Sequence, residues 1–315
     1  MNTMKAIIAA LTAALVCALL VSCSSDKPKG SDRAEPQFTI GVTLLTEEHP
    51  FYRELRGALI DQCEIRGLKP IIMSCNMDLP IQTSQIENFI TRGVDAMVVC
   101  PAKSGGIAGA IRSANKAGIP VFTADIAAQG GEVVSHIASD NVEGGRLAGE
   151  YMAKLLNGKG RIAIVDCPDV QSVQDRVRGF RKAIKKYPGI VIVDSPSAEG
   201  RRDVAVTVTE NLLQKNAKLD GIFAINDNSA LGALAAMENA GRKEIVLIGY
   251  DGDPEARKKI LAGSPLKADA VQYPREIGRT TADAVADHLT GKKVPPVISV
   301  RVGIIDRESL QNERE

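Results

Sequence analysis

Ala96-Met97-Val98-Val99 and Ile245-Val246-Leu247-Ile248 are apolar at every position. A strand with one face in water alternates apolar and polar residues, so a run without alternation belongs to a strand covered on both faces, as in a parallel sheet under helices. Working outward, short runs rich in apolar and β-branched residues recur at 38–45, 70–74, 96–100, 121–124, 161–166, 190–194, 221–225, 245–249 and 268–272. Between them apolar residues return every three or four positions, as in Tyr52, Leu55, Leu59 and Cys63 or Leu147, Tyr151 and Leu155, which marks one buried helix face. Each strand is followed by enough chain for a parallel crossover. The alternation predicts an α/β fold with doubly wound parallel sheets.

A near-repeat divides the chain. Four units end near Ala124, a segment of different character spans 132–140, and a second series starts at Asn141. With 315 residues, 44% hydrophobic and 24% charged, the chain has material for two lobes of about 100 to 150 residues each. Segment 132–140 is the expected crossing between them.

The N-terminus carries a lone Lys5, then an apolar run over 6–21 that ends at Ser22-Cys23-Ser24-Ser25. The run is shorter than the roughly 20 apolar residues that span a bilayer, and the charge-then-apolar order is that of a secretory signal, so 1–22 is expected to be cleaved. Leu20-Val21-Ser22-Cys23 resembles the bacterial lipoprotein box, which implies a lipid on Cys23 and a tether over 23–36 holding the body at a membrane surface. Loss of Lys5 leaves 38 basic residues of 39 against 38 acidic ones. That balance gives no footprint for nucleic acid.

Cys63, Cys75, Cys100 and Cys167 remain in the body without C-x-x-C spacing. Buried free thiols are the expectation, with a Cys63–Cys75 disulfide the alternative in an oxidising compartment.

In open α/β sheets ligands bind outside the carboxyl ends of the strands. The polar residues there are His49, Cys100, Asp125, Asp166, Asn226, Asp227, Asp251 and Gln272. Carboxylates and amides without lysine suit a ligand made of hydroxyl groups, because Asp accepts from two hydroxyls and Asn or Gln both donates and accepts. The glycine-rich stretch Ser104-Gly105-Gly106-Ile107-Ala108-Gly109 lacks phosphate-loop spacing and reads as close helix packing. Taken singly, Asn226 or Asp227 is a helix cap, and Asp251 a turn residue before Gly252. Their shared position carries the argument.

The segments Glu132-Val-Val-Ser-His-Ile-Ala-Ser-Asp-Asn141, Phe223-Ala-Ile-Asn-Asp-Asn-Ser-Ala-Leu-Gly-Ala233 and Ile248-Gly-Tyr-Asp-Gly-Asp-Pro254 resemble the periplasmic ribose-binding proteins, as do His49-Pro50-Phe51-Tyr52 and Val271-Gln272-Tyr273-Pro274. The similarity runs from about 38 to 302. It implies two doubly wound lobes joined by a three-strand hinge, one of 37–139 plus 273–299 and the other of 140–272 plus 300–315. It implies further that Phe51 stacks on a sugar ring, with Tyr52 enlarging that platform, and that Asp125, Arg176, Asn226, Asp251 and Gln272 hydrogen-bond hydroxyls. Arg176 enters only through its match in Arg-x-x-Gly-Phe180. By itself it reads as an exposed helical arginine.

Some positions depart from the ribose pattern. His49 and Cys100, further ligand candidates, stand where those proteins have Asn; Ile126 stands where they have Arg, and Gly200 where they have a stacking Phe. These changes point toward a deoxy sugar, a shorter polyol or a differently shaped ring. The implied role is a monomeric binding protein that closes on its ligand and delivers it to an ABC transporter, or presents it to a chemoreceptor or sensor kinase, without cofactor or metal. An enzyme built on His49, Cys100 and Asp125 is a rival on residue types alone. A lactose-repressor-type regulator would need about 60 residues of DNA-binding domain where the signal stands.

Overall fold

The computed structural model describes residues 38–313; the signal, Cys23 and the tether lie outside them. The strands, in chain order, are β1 (Phe38–Leu44), β2 (Leu68–Ser74), β3 (Ala96–Val99), β4 (Val121–Ala124), β5 (Ser135–Ser139), β6 (Lys159–Val165), β7 (Gly189–Asp194), β8 (Gly221–Ala224), β9 (Val246–Asp251), β10 (Leu266–Val271), β11 (Val297–Val300) and β12 (Gly303–Asp306). They form two six-stranded sheets, ordered β11-β5-β4-β3-β1-β2 and β12-β10-β9-β8-β6-β7. The first is parallel throughout. In the second, β12 runs antiparallel to β10, a departure from the all-parallel expectation. The chain passes between sheets after β5, after β10 and after β11. The fold is two α/β lobes, as the sequence pattern predicts.

The apolar runs behave as their lack of alternation requires: every residue of β3, β4 and β8 is buried. Three strands escape the reading. Segment 132–140 is more than a crossing, since Ser135–Ser139 is β5, paired with β4 and β11, and the passage to the other sheet follows it. The remaining two, β11 and β12, are short edge strands whose residues are largely half-covered or exposed, so no continuous apolar run announces them. All four body cysteines are free and buried, which settles the Cys63–Cys75 alternative against a disulfide. Among the described residues no helix is long and apolar enough to cross a membrane.

Local signals start and stop the helices. Asp78 accepts the Ile81 amide at 2.7 Å to cap Leu79–Arg92, which ends on Gly93 at φ 63°. Asp140 caps Asn141–Leu155 through the Glu143 amide at 3.0 Å. That helix crosses Gln171–Ile184 closely enough that a Cβ on Gly145 would overlap the Arg176 carbonyl, and one on Gly179 the Val142 carbonyl. Small residues here let the two backbones meet, and Phe180 stacks on Phe223 at 4.4 Å beneath them. In the other lobe, Pro274–Leu289 returns to pack on Pro50–Ile65. Gln62 and Arg66 reach Asp283 and Arg66 also reaches Asp287 across that seam.

Candidate functional site

Each sheet reverses its winding at one strand, β1 in the first and β6 in the second. The loops leaving the strands on either side of these points part and form a crevice. Those loops face one another across a cavity of about 870 Å³.

Pro50–Ile65 begins on this cavity. His49 caps it, its Nδ1 accepting the Phe51 amide at 3.2 Å, so Phe51 and Tyr52 occupy the first turn and meet edge to face at 5.1 Å between ring centroids. The Tyr52 hydroxyl donates to Asp125 Oδ2. Asp125 leaves β4 at φ 64°, held by its amide on the Ile137 carbonyl at 2.8 Å. A non-glycine residue in this conformation marks a position its surroundings over-determine. Its other oxygen, Oδ1, is buried and has no partner within the protein. Burial pushes the carboxyl up to about 6, against the pull of the Arg176 charge. Burial likewise raises the Tyr52 phenol well above its ordinary range.

From the second lobe come Arg176, Asn226, Asp251 and Gln272. Arg176, 5% exposed, donates from Nε to Asn141 Oδ1 and from Nη1 to the Ile225 carbonyl, both at 2.8 Å. Its guanidinium lies 3.9 Å from the centre of the Tyr250 ring and 3.6 Å from Asp251. Asn226 caps Asp227–Asn239 through the Ser229 amide at 2.8 Å and donates to the Gly200 carbonyl at 3.0 Å. Its capping role and its place on the cavity wall coexist. Gln272 Nε2 donates to Asp251 Oδ1 at 2.7 Å, leaving Gln272 Oε1 buried without a partner.

His49 Nε2 lies 3.2 Å from Asp251 Oδ2, and Nδ1 lies 3.6 Å from Asp253. Burial pulls the imidazole down, but the Asp251 hydrogen bond and the charges of Asp251, Asp253 and Asp125 outweigh it and hold it above its ordinary value. For Asp251, burial pushes up, while His49, Arg176 and Gln272 together hold it below the usual carboxylate range. Asp251 is therefore an ionised acceptor with a full set of neighbours. The lobes also meet beside the cavity: Lys103 pairs with Asp169 at 3.0 Å, and the Gln171 amide donates to Ser104 Oγ at 2.9 Å.

The cavity wall thus gathers His49, Phe51, Tyr52, Asp125, Arg176, Asn226, Asp251 and Gln272. Cys100 is not on it. The thiol is fully buried, and burial together with the Asp125 charge pushes it well above its usual range. With His49 turned to Asp251, the Cys100, His49 and Asp125 set does not assemble as an activated nucleophile. Asp166 is also off the wall, held by Ser195 Oγ at 3.2 Å, and Asp227 is buried behind it. Sequence reasoning passed over Asn141 and Tyr250, which hold Arg176 in place; both lie inside the quoted segments that carried the resemblance. Ile126 and Gly200 do line the cavity.

Residues 40–293 match the model of the periplasmic binding protein domain. The chain is 36% identical over 300 residues to the ribose import binding protein of Bacillus subtilis, covering 94% of this chain and 96% of that protein. Among solved structures, an ABC transporter solute-binding protein from Mycobacterium smegmatis with bound glycerol aligns with a TM-score of 0.82 at 29% identity, covering 87% of this chain and 96% of that one. A Caulobacter myo-inositol-binding protein bound to myo-inositol aligns at 0.82 and 27%, covering 90% and 98%.

Proposed function

The chain belongs to the periplasmic binding protein family, among the sugar-binding proteins of ABC transporters, and from that premise we propose that it captures a small monosaccharide or polyol and hands it to a transporter permease. Ligand contacts from both lobes become available together only when the lobes close, which is the differential binding a population shift requires. One observation carries the reading. Two buried oxygens on the cavity wall, Asp125 Oδ1 and Gln272 Oε1, have no donor in the protein, and they stand with Arg176 around the Phe51 and Tyr52 platform. Buried acceptors without donors are costly, and hydroxyl groups would satisfy them. Phe51, Tyr52, Asp125, Arg176, Asn226, Asp251 and Gln272 are the proposed ligand contacts, with His49 acting through Asp251.

The relatives span a pentose, a triol and a cyclitol by name. Ile126 makes one corner of this cavity apolar, which favours a ligand lacking a hydroxyl there. We further propose lobes of 37–139 plus 273–299 and 140–272 plus 300–315, a monomeric body, and attachment through a lipid on Cys23. The last is checked by Cys23→Ala, which should move the protein from the membrane fraction to the soluble one.

The function is tested by thermal shift against pentoses, hexoses, deoxy sugars, polyols and amino acids, with calorimetry on any hit. A ligand at 100 times its Kd should stabilise by about 2.7 kcal/mol. A saturable shift from one sugar or polyol, lost in Asp251→Ala, supports the reading. Shifts from amino acids alone would overturn it.

A further inference from the structure

The cavity is larger than one sugar ring needs. A water's share of liquid volume is about 30 Å³, so at that allowance per non-hydrogen atom the roughly ten such atoms of a pentose fill no more than about 300 Å³. The cavity holds about 870 Å³. Its deep part is the set already described: Phe51, Tyr52, Asp125, Arg176, Asp251 and Gln272 are each at most 7% exposed. The lining continues outward to Asn76 and Met77 of one lobe and to Glu199, Gly200 and Asn228 of the other. The first two leave β2, Glu199 and Gly200 follow β7, and each of those strands stands at the edge of its sheet.

Backbone conformation marks this outer part as a built surface. Among the described residues, six non-glycine residues have left-handed backbone, and all but Asn157 line the cavity. Two of those five, Asp125 and Asp251, are proposed ligand contacts; the others are Asn76 at φ 50°, Met77 at φ 63° and Glu199 at φ 55°. Strain of this kind gathers at binding sites and persists where the surroundings over-determine it. Met77 is held by its amide on the Leu45 carbonyl at 2.8 Å, yet the residue is 43% exposed. Gly200, at φ 68°, accepts the Asn226 side chain on its carbonyl at 3.0 Å. A Cβ built there would meet only that same amide within 4 Å, so the wall is open where the ribose pattern has a stacking ring.

The outer residues also have capacity to spare. Among the described residues, half-buried Asn228 makes no side-chain hydrogen bond, and Asn76 uses only its oxygen, on Ser74 at 3.0 Å. Two amides beside an apolar thioether chain repeat the chemistry of the deep part: donors and acceptors for hydroxyls, and a face for ring carbons. A phosphate would meet Glu48 and Glu199, while Arg201 and Arg202 are taken by Asp203 at 2.8 Å and Glu255 at 2.7 Å. A nucleobase would call for an aromatic face, and the phenyl and phenol rings of the cavity, Phe51 and Tyr52, lie in its deep part.

We infer that the cleft also takes disaccharides, with one ring in the deep part and the second held by Asn76 and Met77 of one lobe and Asn228 of the other. This rests on the deep part being the sugar site proposed above. A disaccharide of about 19 to 23 non-hydrogen atoms fills no more than about 700 Å³ by the same allowance, which the cavity contains.

The test is calorimetry on the full chain, comparing D-ribose, D-xylose, D-galactose and D-glucose with ribobiose, xylobiose, galactobiose and cellobiose, and with adenosine. Two added hydrogen bonds and one apolar contact should make at least one disaccharide bind about tenfold tighter than its own monosaccharide. Met77→Ala and Asn228→Ala, which change no core residue, should each shrink that ratio; a ratio unchanged in both overturns the outer site. Monosaccharides that bind while every disaccharide binds more weakly or not at all overturn the second ring and leave the sugar reading standing. Adenosine binding tightest of all overturns the identity of the second unit as a sugar. Silence from the whole panel overturns both readings.

Discussion

His49 of one lobe approaches Asp251 of the other at 3.2 Å, so the residue that caps the first helix also links the two lobes across the cleft. Asp251 in turn gathers Gln272 at 2.7 Å and Arg176 at 3.6 Å. The link between the lobes and the proposed ligand contact therefore share one carboxylate.

The link should respond to pH. His49 is held above its ordinary value of 6.5, so the stabilisation its charge adds is complete below 6.5 and is lost as pH rises through the raised value. Small-angle scattering should find the ligand-free protein more compact at about pH 5.5 than at about pH 8.5, and His49→Gln should abolish the difference. An unchanged radius of gyration in wild type would exclude the link as a closing contact.

Asp251→Ala should remove more than one ligand contact. It leaves the Arg176 charge buried near a vanished partner, an arrangement that costs about 3–5 kcal/mol in buried pairs. Calorimetry on the best sugar should show affinity lost beyond detection, together with a lower Tm. Retained affinity would mean that the ligand sits elsewhere in the cavity.

Tyr52→Phe takes the one hydroxyl donor from Asp125. Hydrogen bonds to charged groups contribute about 1.5–3 kcal/mol, and that deficit should appear in urea unfolding above pH about 6, where Asp125 is ionised. Burial has raised Asp125 above its ordinary 3.8, so its protonated form favours folding at low pH and this advantage fades as pH rises through about 6. The variant's deficit should shrink accordingly on acidification. A deficit constant with pH would show that the phenol serves packing alone.

Gly145→Ala tests how Arg176 is placed. The added methyl overlaps the Arg176 carbonyl, and overpacking of this kind costs about 1–3 kcal/mol. Both Tm and sugar affinity should fall. Gly57, whose added Cβ would meet nothing within 4 Å, is the control: Gly57→Ala in Pro50–Ile65 should stabilise by about 0.5–1 kcal/mol and leave affinity intact.

How much of this was legible depends on which physical signal each residue leaves. Asp125, Asn226, Asp251 and Gln272 follow buried apolar strands, and the carboxyl ends of parallel strands converge, so spacing alone finds them. Arg176 sits mid-helix with no local mark. Its burial follows from a close helix crossing at Gly145 and Gly179 that only the three-dimensional packing reveals, and the family resemblance had to supply it. β5 was missed because Ser135 and Ser139 are polar yet buried. Cys100 was a fair reading of a strand end, but its side chain points into the core of its lobe, a consequence of the two-residue alternation of a strand.

The return of Pro274–Leu289 onto Pro50–Ile65, and of β11 onto β5, sets an order on the birth of the molecule. A ribosome emits the first strand of one lobe early but its last strand only after residue 297, when the other lobe is almost complete. The first lobe cannot finish its sheet while the chain is still being made. For a polypeptide of an exported family, that order leaves the leading lobe without its edge strand, and without the helix that packs on Pro50–Ile65, for nearly the whole of its synthesis.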